Sequence, residues 1–363
     1  MKYSFESRAA GSAEHSLFPP VASALALADA ARRRVLLLIG HRARTILVFR
    51  EYRVAFLGLA GIAFALSGSL FFPVALLAIG PILFGVPHLV ADARYAIVRP
   101  GFHRQREFWI SICILVGGLM AGWGVRAGLL AAACAAMATE APWKRRAIIA
   151  SVAFGLAAIA HRSPFHADVV FAHAHNVIAV GLWLAWRKRH TWMHTLVAVA
   201  FLSVSMLLFF GPLPGIAPRW AGLTFANFTR GLSWSSNSAV ALRFALFFAF
   251  AQSVHYLVWL RLIPEEDRPS PTPRSYRQSA RALLRDMGAW PLVLALVVGI
   301  ALVVVAFAAR ISLSRDLYLK IAFAHGHIEL IAAALFAAHG FLPVAGEGAQ
   351  RYTPEGARRI GER

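Results

Sequence analysis

Charge is scarce in this chain, and negative charge is scarcest. Asp, Glu, Lys and Arg make up 15% of the 363 residues, and 17 acids stand against 37 bases. Cysteine is nearly absent. Cys113 and Cys134 both fall inside apolar runs without CxxC or zinc-type spacing, which excludes a disulfide framework and a cysteine-built metal cluster. There is no glycine-rich phosphate loop, no GxSxG elbow, no internal repeat and no segment that reads as a soluble domain.

Apolar residues are abundant instead. They account for 59% of the chain, above the roughly 45–50% of an ordinary soluble domain, and this points to an all-α, polytopic transmembrane helix bundle. The basic excess could suggest nucleic acid as a partner. The bases, however, sit in short clusters between apolar runs, as membrane orientation signals do, so the expected partner is the lipid bilayer and not nucleic acid. The first twenty residues mix charge and proline ahead of any apolar run, the reverse of a signal peptide. Residues 17–31 read as a short surface helix, followed by Arg32, Arg33, Arg34, Arg42, Arg44, Arg50 and Arg53.

At about 17–25 residues per crossing, about ten spans are expected, near 54–71, 74–97, 108–125, 127–139, 147–161, 168–186, 194–211, 239–262, 290–309 and 317–339, the fourth and fifth short. If each crosses, the clusters Arg94/Arg99/Arg104/Arg106, Lys144/Arg145/Arg146, Arg187/Lys188/Arg189 and the arginine-rich 261–285 loop share one side. That alternation predicts both termini in the cytoplasm of a cell whose inner membrane holds the protein, most simply a bacterium. It divides the chain into a basic N-terminal segment (1–53), a helical membrane domain (54–342) with a linker at 263–288, and a tail (343–363). The linker's proline-rich start should resist helix and its basic second half should form a surface helix. Between the seventh and eighth spans, Trp220, Phe225, Phe228 and Trp234 suit the membrane interface or a lid over an apolar substrate.

Polar groups are costly in such spans and face the bundle interior. His88, His173, His175, His255, His325 and His327 fall in the second, sixth, eighth and tenth spans. His88 with Asp92, and His325 with Glu329, are four residues apart and share a helix face, so each carboxylate either binds the same metal or orients the imidazole. The pairs His173/His175 and His325/His327 are two apart, about 200° round a regular helix, so one of each pair can face a common centre. His88, His175, His255 and His327 are the expected ligands, with Asp92 and Glu329 as ligands or orienters. Imidazole with carboxylate suits iron, copper, zinc or manganese, and an iron site with open positions suits oxygen chemistry.

The stretch GVPHLVADA resembles the Gly-x-Pro-His-x-x-x-Asp signature of the Brp/Blh family, membrane-embedded, iron-dependent dioxygenases that cleave β-carotene to retinal. The likeness covers nine residues. It implies a many-helix fold, a non-haem iron cofactor, His88 as the first iron ligand and Asp92 as its companion acid. Leu89 stands where the family has Gly, and SVHYLVW offers His255 without a second His four residues on. The expectation is therefore a metal-dependent oxygenase acting on an apolar, lipid-soluble small molecule of carotenoid type. The alternatives are a transporter or proton-coupled carrier with a His/Asp/Glu relay, and a haem-binding carrier with axial histidines.

Overall fold

The computed structural model describes residues 18–38, 40–186, 191–212, 219–220, 223–224, 231–268, 273–322 and 324–340. Arg187, Lys188 and Arg189, the aromatics Phe225 and Phe228, and the tail 343–363 lie outside these. Among the described residues the chain is helical, apart from turns and a two-residue antiparallel ladder of Arg219–Trp220 with Leu223–Thr224.

The helices are α1 (Pro19–Leu38), α2 (His41–Val48), α3 (Arg50–Phe71), α4 (Pro73–Asp92), α5 (Arg106–Met120), α6 (Val125–Ala138), α7 (Trp143–Arg162), α8 (Pro164–Trp186), α9 (Trp192–Phe210), α10 (Ser238–Leu257), α11 (Tyr276–Met287), α12 (Ala289–Ala308), α13 (Ile311–Ala322) and α14 (His325–His339). Counting α4 and α10 with their extensions, and α13 with α14, seven helical stretches are long and apolar enough to cross a membrane. The other three expected crossings are helices of a different kind. With 15 and 14 residues, α5 and α6 are about 21–23 Å long, short of a ~30 Å hydrocarbon core. Helix α7 has 20 residues, longer than expected, but it opens on Lys144, Arg145 and Arg146 and closes on His161 and Arg162.

Packing follows side-chain size. Helix α10 sits among α3, α4, α8 and α9, and α6 among α5, α7 and α14. Six buried alanines of α6, from Ala127 to Ala136, let three neighbours approach closely, as small residues do where lipid leaves no hydrophobic drive between helices. Helix α12 is the opposite case: Leu302 is its buried residue, and Leu294, Val297, Ile300 and Phe307 are exposed, as a lipid-facing helix requires.

Two departures from the expected elements matter for the site. The span expected at 317–339 is two helices, α13 and α14, so His325 opens a helix rather than lying within one. The linker expected to start at 263 begins inside the bundle. Past a wide π turn at Val258–Leu262, the segment Ile263–Glu266 stays helical, with Pro264 in its first turn, where a missing N–H costs little. Glu265, Glu266 and Asp267 are buried there. Helix α11 does form in the linker's basic half, opened by a Ser275/Gln278 capping box. Asp29 of α1 accepts from the Tyr276 backbone N–H at 2.7 Å, docking the two outer helices together.

Among the described residues, the basic clusters at 94–106, 144–146 and 261–285 gather at one end of the bundle. Arg53 meets Glu265 at 2.6 Å, Arg94 meets Asp286 at 2.7 Å, and Arg99 meets Asp267 at 3.1 Å. His194 meets Glu266 there at 3.0 Å, and Thr139 bonds His339 at 2.9 Å. At the other end Asp168 accepts from the first N–H of α6, Val125, at 2.8 Å.

Candidate metal centre

Four helices each bring one histidine to a common point inside the bundle: His88 from α4, His175 from α8, His255 from α10 and His325 from α14. Ring centroids lie 4.4 Å apart for His175–His255, 4.7 Å for His175–His325, 5.0 Å for His88–His325, 5.2 Å for His88–His255 and 6.2 Å for His255–His325. Rings this close leave no plane for a macrocycle between them, which disfavours the haem alternative.

Local chain geometry fixes the rings. Pro81 and Pro87 stand inside α4, and each lacks the N–H that would bond the carbonyl four residues back. The Leu77 carbonyl so released accepts from Arg315 Nε at 3.1 Å. Gly85 lets the Tyr318 ring lie directly on the α4 backbone. On α14, a Cβ at Gly326 would stand 3.2 Å from His175 Nδ1, so the missing side chain makes room for that ring.

The hydrogen bonds say where the lone pairs point. His88 Nδ1 donates to the Gly85 carbonyl at 2.6 Å, and His325 Nδ1 donates to the Ala322 carbonyl. A neutral imidazole carries one ring hydrogen, so both Nε2 atoms present lone pairs, and these face each other at 3.3 Å. Two facing lone pairs repel unless a cation lies between or beside them. His255 completes the pattern: both its ring nitrogens are buried, and neither has a hydrogen-bond partner among the described residues. His175 Nδ1 bonds Glu329 Oε2 at 3.0 Å. One ring nitrogen each of His175, His255 and His325 and one Glu329 oxygen lie within 4.8 Å of one another. Two ligands of one ion, each at about 2.0–2.2 Å, stand at most about 4.4 Å apart, so closure of these four groups on a metal asks for a contraction of roughly half an ångström; His88 is outside this set and adjoins it through His325.

The acids are arranged differently from the sequence expectation. Asp92 does not orient His88, because the Gly85 carbonyl takes that role; its carboxyl faces that of Glu329, within hydrogen-bonding reach. Glu329 likewise serves His175 across the helix interface, not its own helix neighbour His325. The result is two layers. Histidines 88, 255 and 325 form one, and the residues four further on, Asp92, Trp259 and Glu329, form the next, one turn toward the basic end. Two facing carboxyls in such surroundings need a proton between them or a cation nearby.

Two candidate histidines, His173 and the expected ligand His327, point elsewhere. His173 Nε2 donates to the Leu232 carbonyl at 2.8 Å and stacks on Phe247 with ring centroids 5.7 Å apart. His327 packs on Phe171 and over Gly128, where a Cβ would come within 2.7 Å of its ring. The roughly 200° step between alternate helix positions separates each pair, and the break before α14 gives His325, rather than His327, the inward place.

Beside the histidines lies a cavity of about 470 Å³. Its walls include Leu77, Pro81, Phe171, Leu232 and Phe248, with Asn176, Gln252 and Arg315 as polar points. Sequence reasoning missed Tyr256, whose ring centre is 4.8 Å from that of His88, and Tyr318, whose hydroxyl is 3.4 Å from His88 Nδ1. Their signal was their place, one residue after His255 and seven residues before His325. No protein-family model, no curated protein and no solved structure matches this chain.

Proposed function

We propose that the protein is an integral membrane oxygenase that holds a non-haem iron between His88, His175, His255 and His325 and oxidises an apolar, lipid-soluble substrate with O₂. His255 carries this reading: a buried imidazole with two orphaned nitrogens, its ring centre 4.4–6.2 Å from those of three other histidines, suits a metal ligand better than a packing residue. The donor set fits. Imidazole serves iron, copper, zinc and nickel alike, and the choice of iron takes up the resemblance of GVPHLVADA to the carotene-cleaving enzymes together with the apolar walls of the adjoining cavity. When bound, the iron would supply O₂ activation.

The chain's own residues do the rest. Gly85 and Ala322 carbonyls set the tautomers of His88 and His325, and Glu329 holds His175. Leu77, Phe171 and Phe248 shape a water-poor chamber for a hydrocarbon segment, entered from the bilayer. With the arginine-rich end facing the cytoplasm, the centre sits near mid-membrane. Metal analysis of the purified protein tests this. One iron per chain, with iron-dependent O₂ uptake when β-carotene is supplied as the probe, is the expected result. Protein that is folded yet free of transition metal would favour the proton-relay alternative, and stoichiometric zinc would remove the redox chemistry.

A further inference from the structure

A second cleft, of about 890 Å³, lies outside the metal centre, and its role is independent of that centre's function. Its walls are stripes from three helices. Leu292, Leu296, Gly299 and Val303 come from α12, spaced to share one helix face. Leu83, Pro87 and Val90 come from α4. At 100° per residue these lie about 100–160° round the helix from His88, so α4 stands between the cleft and the histidines. Tyr276, Ser279 and Leu283 of α11 close one end.

That end is cationic. Arg94, Arg261, Arg268 and Arg274 line it with one acid, Asp267. Partners reduce but do not cancel the excess: Asp286 takes Arg94, Asp267 takes Arg99, and Glu265 takes Arg268 while also holding Arg53. Five guanidiniums, including Arg99, therefore share three carboxylates, two of them divided with a further arginine, Glu265 with Arg53 and Asp286 with Arg285. The apolar part runs along α12 from Leu292 to Val304, about 18 Å at 1.5 Å per residue, close to one leaflet of a ~30 Å hydrocarbon core. Helix α11, basic and amphipathic, marks the level of the lipid headgroups.

From this pairing of a leaflet-deep apolar groove with an arginine-lined mouth, we propose that the cleft between α4, α11 and α12 binds an anionic phospholipid, phosphate at the arginines and acyl chain along α12. Guanidinium is the side chain best matched to phosphate. The cleft also offers a clean block. A Cβ at Gly299 meets nothing within 4 Å, so Gly299→Phe can project a ring from the α12 backbone into the groove.

The test is native mass spectrometry of the full chain in detergent, titrated with phosphatidylglycerol and, separately, with phosphatidylcholine. Phosphatidylglycerol should be retained at one molecule per chain, at least fivefold better than phosphatidylcholine. Both Gly299→Phe and the double variant Arg261→Glu/Arg274→Glu should reduce that retention at least fivefold, with helix content by circular dichroism unchanged. Equal retention of the two lipids would overturn the anionic specificity. Loss in the charge variant but not in Gly299→Phe would mean surface attraction without a seated chain, and would overturn the site. In case a variant fails to fold, wild-type protein is photolabelled with phosphatidylglycerol carrying a diazirine acyl chain. Label should concentrate in 82–94 and 292–304, and label spread evenly over the outer helices would contradict the proposal.

Discussion

His194 and His255 are both buried histidines of one bundle, and their surroundings are opposites. His194 bonds the Thr191 hydroxyl through Nδ1 at 2.9 Å and Glu266 through Nε2 at 3.0 Å. Around it Arg53 and Glu265 form a buried ion pair, and Arg268 adds a second cation to the same carboxylate at 3.0 Å. Both ring nitrogens of His194 are thus answered within the chain, so this histidine needs nothing from outside it. At the histidine centre the same residue types leave their needs open: two Nε2 lone pairs face each other, and His255 has two orphaned nitrogens. The satisfied cluster fastens helix ends together. The unsatisfied one is suited to an external partner such as the proposed metal, because burying unpaired polar groups costs free energy.

Substitutions that treat the two regions alike should therefore have opposite readouts. The largest effect belongs to His255→Ala, which removes no hydrogen bond and should abolish bound metal while leaving the protein folded; metal content and thermal stability measured on the same sample check both halves. Next is Glu265→Ala, which takes the carboxylate from buried Arg53 and leaves its charge with backbone carbonyls alone to answer it among the bonds described. Breaking a buried pair from one side costs about 3–5 kcal/mol, so the melting temperature should fall steeply although no metal ligand is touched. Glu329→Gln keeps size and hydrogen bonding but removes the charge beside His175, and metal affinity should drop roughly 10- to 100-fold, as loss of an orienting partner does; competition with a chelator measures it. His194→Ala should lower stability by about 1–3 kcal/mol, the usual cost of leaving a buried partner unsatisfied, with metal content unchanged. The smallest effect is expected from Gly326→Ala. Its Cβ would press on His175 at 3.2 Å, and a fewfold weaker metal affinity with normal folding is the outcome to look for.

The comparison also explains what the sequence could tell. Long apolar runs with alternating basic clusters disclosed a helical membrane bundle, because lipid permits few other structures. Histidines placed in four of those runs disclosed that polar side chains must meet inside it. Spacing could not say which of two alternate histidines turns inward, since that depends on where a helix starts; the break after α13 is what admits His325 and turns His327 toward α6. Helical spacing of four also made Asp92 look like the partner of His88. Backbone carbonyls competed for the ring hydrogens, and only the folded chain shows that Gly85 and Ala322 win. Glu265, Glu266 and Asp267 read as linker because they follow an apolar run and stand between Pro264 and Pro269, yet they lie buried against Arg53, His194 and Arg99, residues distant in sequence.

The central claim is that imidazoles from four separate helices close on one metal. X-ray absorption at the metal edge of the purified, iron-loaded protein tests it most directly. The account predicts a first shell dominated by nitrogen at about 2.0–2.2 Å, with the outer-shell scattering of at least three imidazole rings, and loss of one ring's contribution or of the metal itself in His255→Ala but not in His194→Ala. A first shell of oxygen without imidazole scattering, or a spectrum unchanged by His255→Ala, would contradict it.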